Sequence, residues 1–411
     1  MKQILISSKD KEQHGEKRIA ILEDGKLVEI FYEDFQQDKL VGNIYKGRVE
    51  DILSGLGSAF VDVGEEQSLF LSRSEINQAI LRSRGFNPKE YPPRIDKVIN
   101  EGESLIVQVK RGGIGSKNPQ GTTKVSLPGR YWVFLPKDSR LGISRRITDD
   151  REIQRLKDVA RNLKEENEGL IARTASKNAS KEDLKRDFNF LLGTWKGVEE
   201  EANNVKAPHL LHSHAGMVRT VIRDRLLEDV DEVLTNSKPV YEDIIDYLHY
   251  LRMDNFQDVV RHYQQDTPMF KHYGVEKQLE KCLQREVSLD SGGYLAIDET
   301  EALTAIDVNT GGNVNHKNQA QAILNTNLSA AREIPIQLRL RKISGIIIVD
   351  FVDMYDNEDQ QKVIDKLKKS LREDRVPADF IDMTPLGLVE ITRKREGESL
   401  ADLMEGYHDE E

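Results

Sequence analysis

Between residues 38 and 125 the chain repeatedly starts a short apolar–polar alternation and ends it near a glycine: NIYKGRVEDIL, GSAFVDVG, QSLFL and SLIVQV. Runs this short with a period of two read as half-buried strands. Five such strands with glycine turns predict a small barrel of the OB type. In GSAFVDVG, Phe60 shares a face with Ser58 and Asp62, opposite Ala59, Val61 and Val63. In QSLFLS, Phe70 shares a face with Ser68 and Ser72, opposite Leu69 and Leu71. A core phenylalanine belongs on the apolar face, so both rings are expected outside the barrel. With Lys46, Arg48, Lys110 and Lys117 nearby in sequence, they predict a stacking platform with a basic rim for single-stranded nucleic acid.

The barrel is flanked by different textures. QILISS and EKRIAILEDGKLVEIFYE alternate as strands, with Asp24-Gly25 as a hairpin signal. Residues 149–205 read as charged helices interrupted by the strand-like GLIARTA, and 216–285 mix helix with short strands. From Val287 the pattern is strand, turn, strand, then a helix from about Lys317 to Leu340, the strand GIIIVDF, a last helix and the strand GLVEITRK. That order predicts an α/β unit.

Two acids stand at strand ends in this last unit. In LTAIDVNTGG, Asp307 and Asn309 lie on one strand face and lead into a glycine-rich turn. In GIIIVDFVDM, four β-branched residues predict a strand buried on both faces, with Asp350 at its carboxyl end. Sites form at such ends in open α/β sheets. Two carboxylates on neighbouring strand ends suit a hard cation such as magnesium, which can activate water against a phosphodiester. The spacing equally allows both acids to cap turns, or to pair with Arg339 and Arg341.

The net charge of −11 hides an asymmetry. From Ser104 to Arg146 there are nine basic residues and one acid, Asp138, whereas Glu396 to Glu411 holds seven acids and no Lys or Arg. The middle segment is therefore a candidate surface for a polyanion. One cysteine, Cys282, leaves no intramolecular disulfide and no multi-cysteine zinc site. With no apolar run long enough to span a bilayer and no secretory leader, a cytoplasmic chain is expected. No GxxxxGK[ST] is present. His212 and His214 lack a third ligand and read as structural.

Together the motifs resemble the catalytic half of the ribonuclease E/G family. They are NIYKGRV, AFVDVG, TTKVSLPGRY, GISRRI, LIARTA, QREV, SGGYLAID, TEALTAIDVNTG, NTNLSAA, QLRLR and IIIVDFVDM, in the family's order. The resemblance implies an α/β multidomain fold: a ribonuclease-H-like subdomain (1–37 and 216–283) split by an S1-type barrel (38–125) and a 5′-sensor (126–215). A DNase-I-like catalytic subdomain (284–400) and an acidic tail (401–411) follow. It implies an endoribonuclease of RNA processing and messenger decay that hydrolyses single-stranded RNA with Mg2+, leaving 5′-phosphate and 3′-hydroxyl ends. Asp307 and Asp350 match the metal ligands, and Asn309 the amide that supports one acid and contacts the scissile phosphate. Phe60, Phe70 and Lys117 match RNA-gripping residues, and Arg145 and Arg146 extend their basic path. Gly129, Val133, Arg173 and Thr174 match the pocket that senses a 5′-monophosphate.

Two departures follow. The cysteine pair that links protomers through zinc is absent, so a homodimer is expected rather than a zinc-linked tetramer. A further sensor arginine from the catalytic subdomain meets DRVPADF, with Pro377 in its place, which implies a weaker preference for 5′-monophosphorylated ends. Two other functions stay open on the residues alone: an RNA-binding module whose acids are structural, and a DNA nuclease.

Overall fold

The computed structural model describes residues 1–8, 17–32, 40–87, 93–113, 118–226, 229–251, 253–311, 319–395 and 399–401. Lys117, the start of the last-but-one helix at Lys317, and nearly all of the acidic tail lie outside them.

The Asp24–Gly25 hairpin forms as its sequence predicts. Strand Lys17–Glu23 pairs antiparallel with Lys26–Tyr32, and both turn residues adopt positive φ (49° and 77°), the conformation a two-residue turn demands. Lys2–Ser8 lies on the other edge of this hairpin and pairs in parallel with Glu232–Thr235, which pairs in turn with Val260–His262. The first residues of the chain are thus completed into one five-stranded sheet by a segment more than two hundred positions later.

Between those two contributions the chain builds the barrel. Strands Ile44–Leu53, Ser58–Asp62, Leu69–Ser72, Gln120–Thr122 and Ser104–Arg111 pair in that order. Ser104–Arg111 then closes back onto Ile44–Leu53. Val49, Ala59, Val61, Leu69, Leu71 and Val107 fill the interior, which leaves both phenylalanines outside. Strand His209–His212 adds to the outer edge of Ile44–Leu53. A four-stranded sheet over residues 127–172 follows, covered by helices Asp150–Leu163 and Lys181–Asn204.

The last sheet runs Glu286–Ser288, Tyr294–Glu299, Leu303–Asn309, Gly345–Asp350, Val389–Arg393, Ala378–Met383. Helices Gln319–Leu340 and Asn357–Leu371 both pack on one of its faces, against Leu295, Ile306, Val308, Ile347, Val349 and Ile391. The opposite face is left open. This corrects the expectation for GIIIVDF: Ile347 and Val349 are buried, but Ile346 is 51% exposed. A β-branched run favours a strand whichever faces are covered, and here only one is.

Candidate active site

Asp307 and Asp350 stand on that open face. Leu303–Asn309 and Gly345–Asp350 are parallel neighbours, and their register pairs the two acids directly. Both are exposed, and the amide of Asn309 donates to Asp307 Oδ2 at 2.9 Å. Burial, then the charges of Asp307 and Asp353, hold the Asp350 carboxyl above its ordinary range. Arg339 and Arg341 do not neutralise the pair: Arg339 donates to the Val28 carbonyl, and Arg341 to Gln337 and the Gln284 carbonyl. Among the described residues no third His, Cys, Asp or Glu completes a metal-holding cluster.

The loop after Asp350 is held in place from below. Buried Asn327 clamps Val352 from both sides, donating to its carbonyl (2.8 Å) and accepting from its amide (3.1 Å). Gln360 donates to the Met354 carbonyl, and Asp356 caps the helix that follows. Asp353 therefore stays near the pair; it was legible in IVDFVDM, three residues after Asp350.

On the barrel, Phe60 and Phe70 are register partners, half-buried, with ring centroids 6.0 Å apart at 67°. Lys46 and Arg48 turn away from this face. Lys46 donates to the carbonyls of Ala202 and Val205 at the end of helix Lys181–Asn204, and Arg48 to that of Ala207. Lys46 thus caps a helix C-terminus, where cations are favoured. Lys110 pairs with Glu75.

The third group forms a cleft of about 460 Å³ between the 127–172 sheet and the last sheet. Eight arginines line it, against three carboxylates. Arg173 donates to the Gly129 carbonyl at 2.7 Å and pairs with Asp224 at 2.6 Å, and the Thr174 hydroxyl lies 2.9 Å from that of Ser144. Gly129 and Val133 do not line the cleft: Gly129 lies in the turn behind Arg173, and Val133 sits in strand Trp132–Pro136, paired with Pro128 and Ile171. Half-buried Asp187 accepts from the amides of Arg130, Tyr131 and Trp132. A Cβ on Gly129 would meet its carboxylate at 2.6 Å, so only glycine fits there. Arg145 reaches across to Asp379 at 3.1 Å, and Arg146 donates to the carbonyls of Arg372 and Glu373. Pro377 lines the cleft, and Arg375, two residues earlier, brings a guanidinium into it from the side of the last sheet.

The field in this cleft is strongly positive. Burial, reinforced by Arg375 and Arg146 and only partly offset by Glu29, lowers the Arg225 pKa to about 10. Nε of Arg225 and Nε of Arg130 are buried donors without a protein partner. For Asp224, burial works upward, but Arg223 and Arg173 outweigh it and hold the pKa at about 2.

A family model described as "Ribonuclease E/G family" matches residues 126–396. Ribonuclease G of Salmonella typhimurium is 38% identical over 388 residues, covering 94% of this chain and 79% of that protein. Ribonuclease G of Escherichia coli K12 is 37% identical over 387 residues, with the same coverage. Ribonuclease E of Haemophilus influenzae is 36% identical over 408 residues, 98% of this chain and 42% of that protein. No described helix is long and apolar enough to cross a membrane. With paired acids, an aromatic barrel face and an arginine cleft in one chain, and likeness of this extent, the chain belongs to the ribonuclease E/G family.

Proposed function

We propose that this chain is an endoribonuclease that hydrolyses single-stranded RNA with magnesium held by Asp307 and Asp350. The observation that carries the reading is the register pairing of the two acids on the open sheet face, with no arginine or lysine neutralising them among the described residues. Two exposed carboxylates fit an ion that keeps most of its waters and takes its remaining ligands from phosphate. When bound, magnesium would supply a water of lowered pKa and offset charge on the phosphorus oxygens. Asn309 holds one oxygen of Asp307; on this reading the other oxygen serves the ion, and the Asn309 amide contacts the scissile phosphate. Attack by water with the 3′ oxygen leaving gives a 5′-phosphate and a 3′-hydroxyl.

The same reading makes Phe60 and Phe70, with Lys117, the grip on the unpaired strand, and the arginine cleft the receptor of a 5′-monophosphate. In it Arg173 and Thr174 face the anion, while Gly129, in the turn behind Arg173, and Val133, in the strand paired with Ile171, support them. Arg145 and Arg146, besides docking the catalytic sheet, would lie beside the strand between grip and cleft. Residues 1–37 with 216–283 are then the ribonuclease-H-like part, 38–125 the S1-type barrel, 126–215 the sensor and 284–400 the DNase-I-like part. The names of the relatives support RNA as the substrate; RNA turnover in the cytoplasm is the setting we assign. A homodimer is the assembly we assign; a single-chain mass in solution removes it.

The decisive experiment incubates a single-stranded RNA oligonucleotide with magnesium and either the wild type or Asp307→Asn. Cutting by the wild type alone is expected, and equal cutting by both overturns the proposal. A matched DNA strand, cut as fast as the RNA, would instead favour a DNA nuclease.

A further inference from the structure

Three clefts on the barrel run into one another. The widest, about 900 Å³, lies between helices Lys181–Asn204 and Lys238–Tyr250. It shares Gly42, Gln108, Pro128 and His214 with a second of about 500 Å³. That one shares Lys124 and Arg140 with a third of about 280 Å³, which ends at Arg73, three residues beyond Phe70. Together they form a groove lined by eight Lys or Arg and four Asp or Glu, in a chain whose net charge is −11.

The wide end carries an aromatic cluster in which buried Tyr247 backs two rings, Phe190 and Tyr250, that stay outside the core. The buried stripe of helix Lys181–Asn204 is Leu184, Phe188, Leu191, Trp195 and Val198; Phe190 lies off it and is 41% exposed. Tyr250 closes the facing helix and is 58% exposed. The two rings meet edge-on at 5.1 Å, Tyr247 stacks on Tyr250 at 6.0 Å and 19°, and the Arg219 guanidinium lies 5.3 Å over Tyr247. The cluster is braced from behind and open in front. A basic groove ending in exposed aromatic rings is what a sequence-tolerant single-strand site requires.

We propose that this groove is a second track for single-stranded RNA, leading from the barrel past Lys124 and Arg140 to a base-stacking platform at Phe190 and Tyr250. It takes strands too long for the barrel face alone. The proposal rests on the reading of the barrel as an RNA grip, since its narrow end opens beside that face.

The test measures binding of fluorescein-labelled oligouridylates of about 8 and about 30 nucleotides to the full chain in chelator, lengths chosen to fill the barrel alone or to overrun it. Phe190→Ala with Tyr250→Ala should weaken the long strand at least about tenfold and leave the short one within about twofold. Lys124→Gln with Arg140→Gln, a second route should the aromatic pair disturb folding, should lower the salt slope for the long strand by about one or two. Unchanged affinity and slope for the long strand, or equal losses for both lengths, overturns the track. Binding of polyglutamate that the aromatic variant loses, with RNA affinity intact, also overturns it, in favour of an acidic protein partner. Failure of the wild type to bind the short strand would count against the barrel grip instead, and the long-strand difference still judges the groove.

Discussion

The acid pair and the arginine cleft are electrostatic opposites built by opposite means. Asp307 and Asp350 gather negative charge on an open sheet face, with water as their main relief. The cleft gathers positive charge between two packed layers and supplies its own counter-ions: Asp224 beneath Arg173 and Arg223, and Asp379 against Arg145. An exposed like-charge pair costs little to hold, because solvent screens it. Buried guanidiniums without partners would cost several kcal/mol each, so the fold must pair them internally. The acids can therefore be changed with little effect on folding, whereas the cleft binds folding and function together.

The largest expected effect comes from the exposed side. Asp350→Asn should lower the cleavage rate at saturating magnesium at least a thousandfold, about 4 kcal/mol of transition-state stabilisation. Circular dichroism should show the fold unchanged. A variant that cuts normally would return Asp350 to a turn-capping role and erase the contrast.

The buried side should respond in stability. Asp224 is 8% exposed and meets Arg173 at 2.6 Å and Arg223 at 2.7 Å. Asp224→Asn leaves both arginines short of an anion and should cost about 3–5 kcal/mol in denaturant unfolding. Its pH signature has a definite sign. Its folded pKa, about 2, lies below the ordinary 3.8, so its contribution is present above pH 4 and is lost as pH falls from about 4 toward 2. The wild type should lose about 2 kcal/mol in that window through this group, and Asp224→Asn should not.

Legibility divides along the same line. Whatever sits on one strand and repeats with period two could be read: the outward phenylalanines, the Asp24–Gly25 turn, and the two acids at strand ends. Contacts between distant segments could not. Asp224 and Arg375 lie 151 positions apart in sequence and meet only because two layers close on each other. Asp187 left one trace, an acid set within the apolar stripe of its helix, between Leu184 and Phe188 and ahead of Leu191. Lys46 and Arg48 looked like part of a nucleic-acid rim because charge in a strand does not reveal which carbonyls it will meet. The open face behind GIIIVDF was hidden for the same reason, since a β-branched run does not say how many layers cover it.

Arg375 tests whether the cleft can rebuild a function from a neighbouring position. Its side chain, 35% exposed, sits 3.7 Å from Asp224 and 5.6 Å over Phe31, two residues before Pro377, where the resemblance implies an arginine. Arg375→Gln removes one charge-assisted contact to a bound phosphate, worth about 1.5–3 kcal/mol. Cleavage of 5′-monophosphorylated RNA should fall about tenfold or more in kcat/KM, while 5′-hydroxyl RNA is unaffected. An equal loss on both substrates would make Arg375 a docking residue only.

The smallest effect is the sharpest probe of the contrast. Because burial and the neighbouring acids raise Asp350 above its ordinary pKa, the folded state holds that proton more tightly than the unfolded chain. Its ionised form is therefore a liability that grows as pH rises through its folded pKa. In metal-free protein at neutral pH, Asp350→Asn should raise stability by less than about 1 kcal/mol, the range for exposed charges. Added magnesium should stabilise the wild type by mass action and leave the variant nearly unmoved. A metal-free variant less stable than the wild type would mean that the carboxylate makes a structural contact, and that the open face does not hold its acids for a ligand alone.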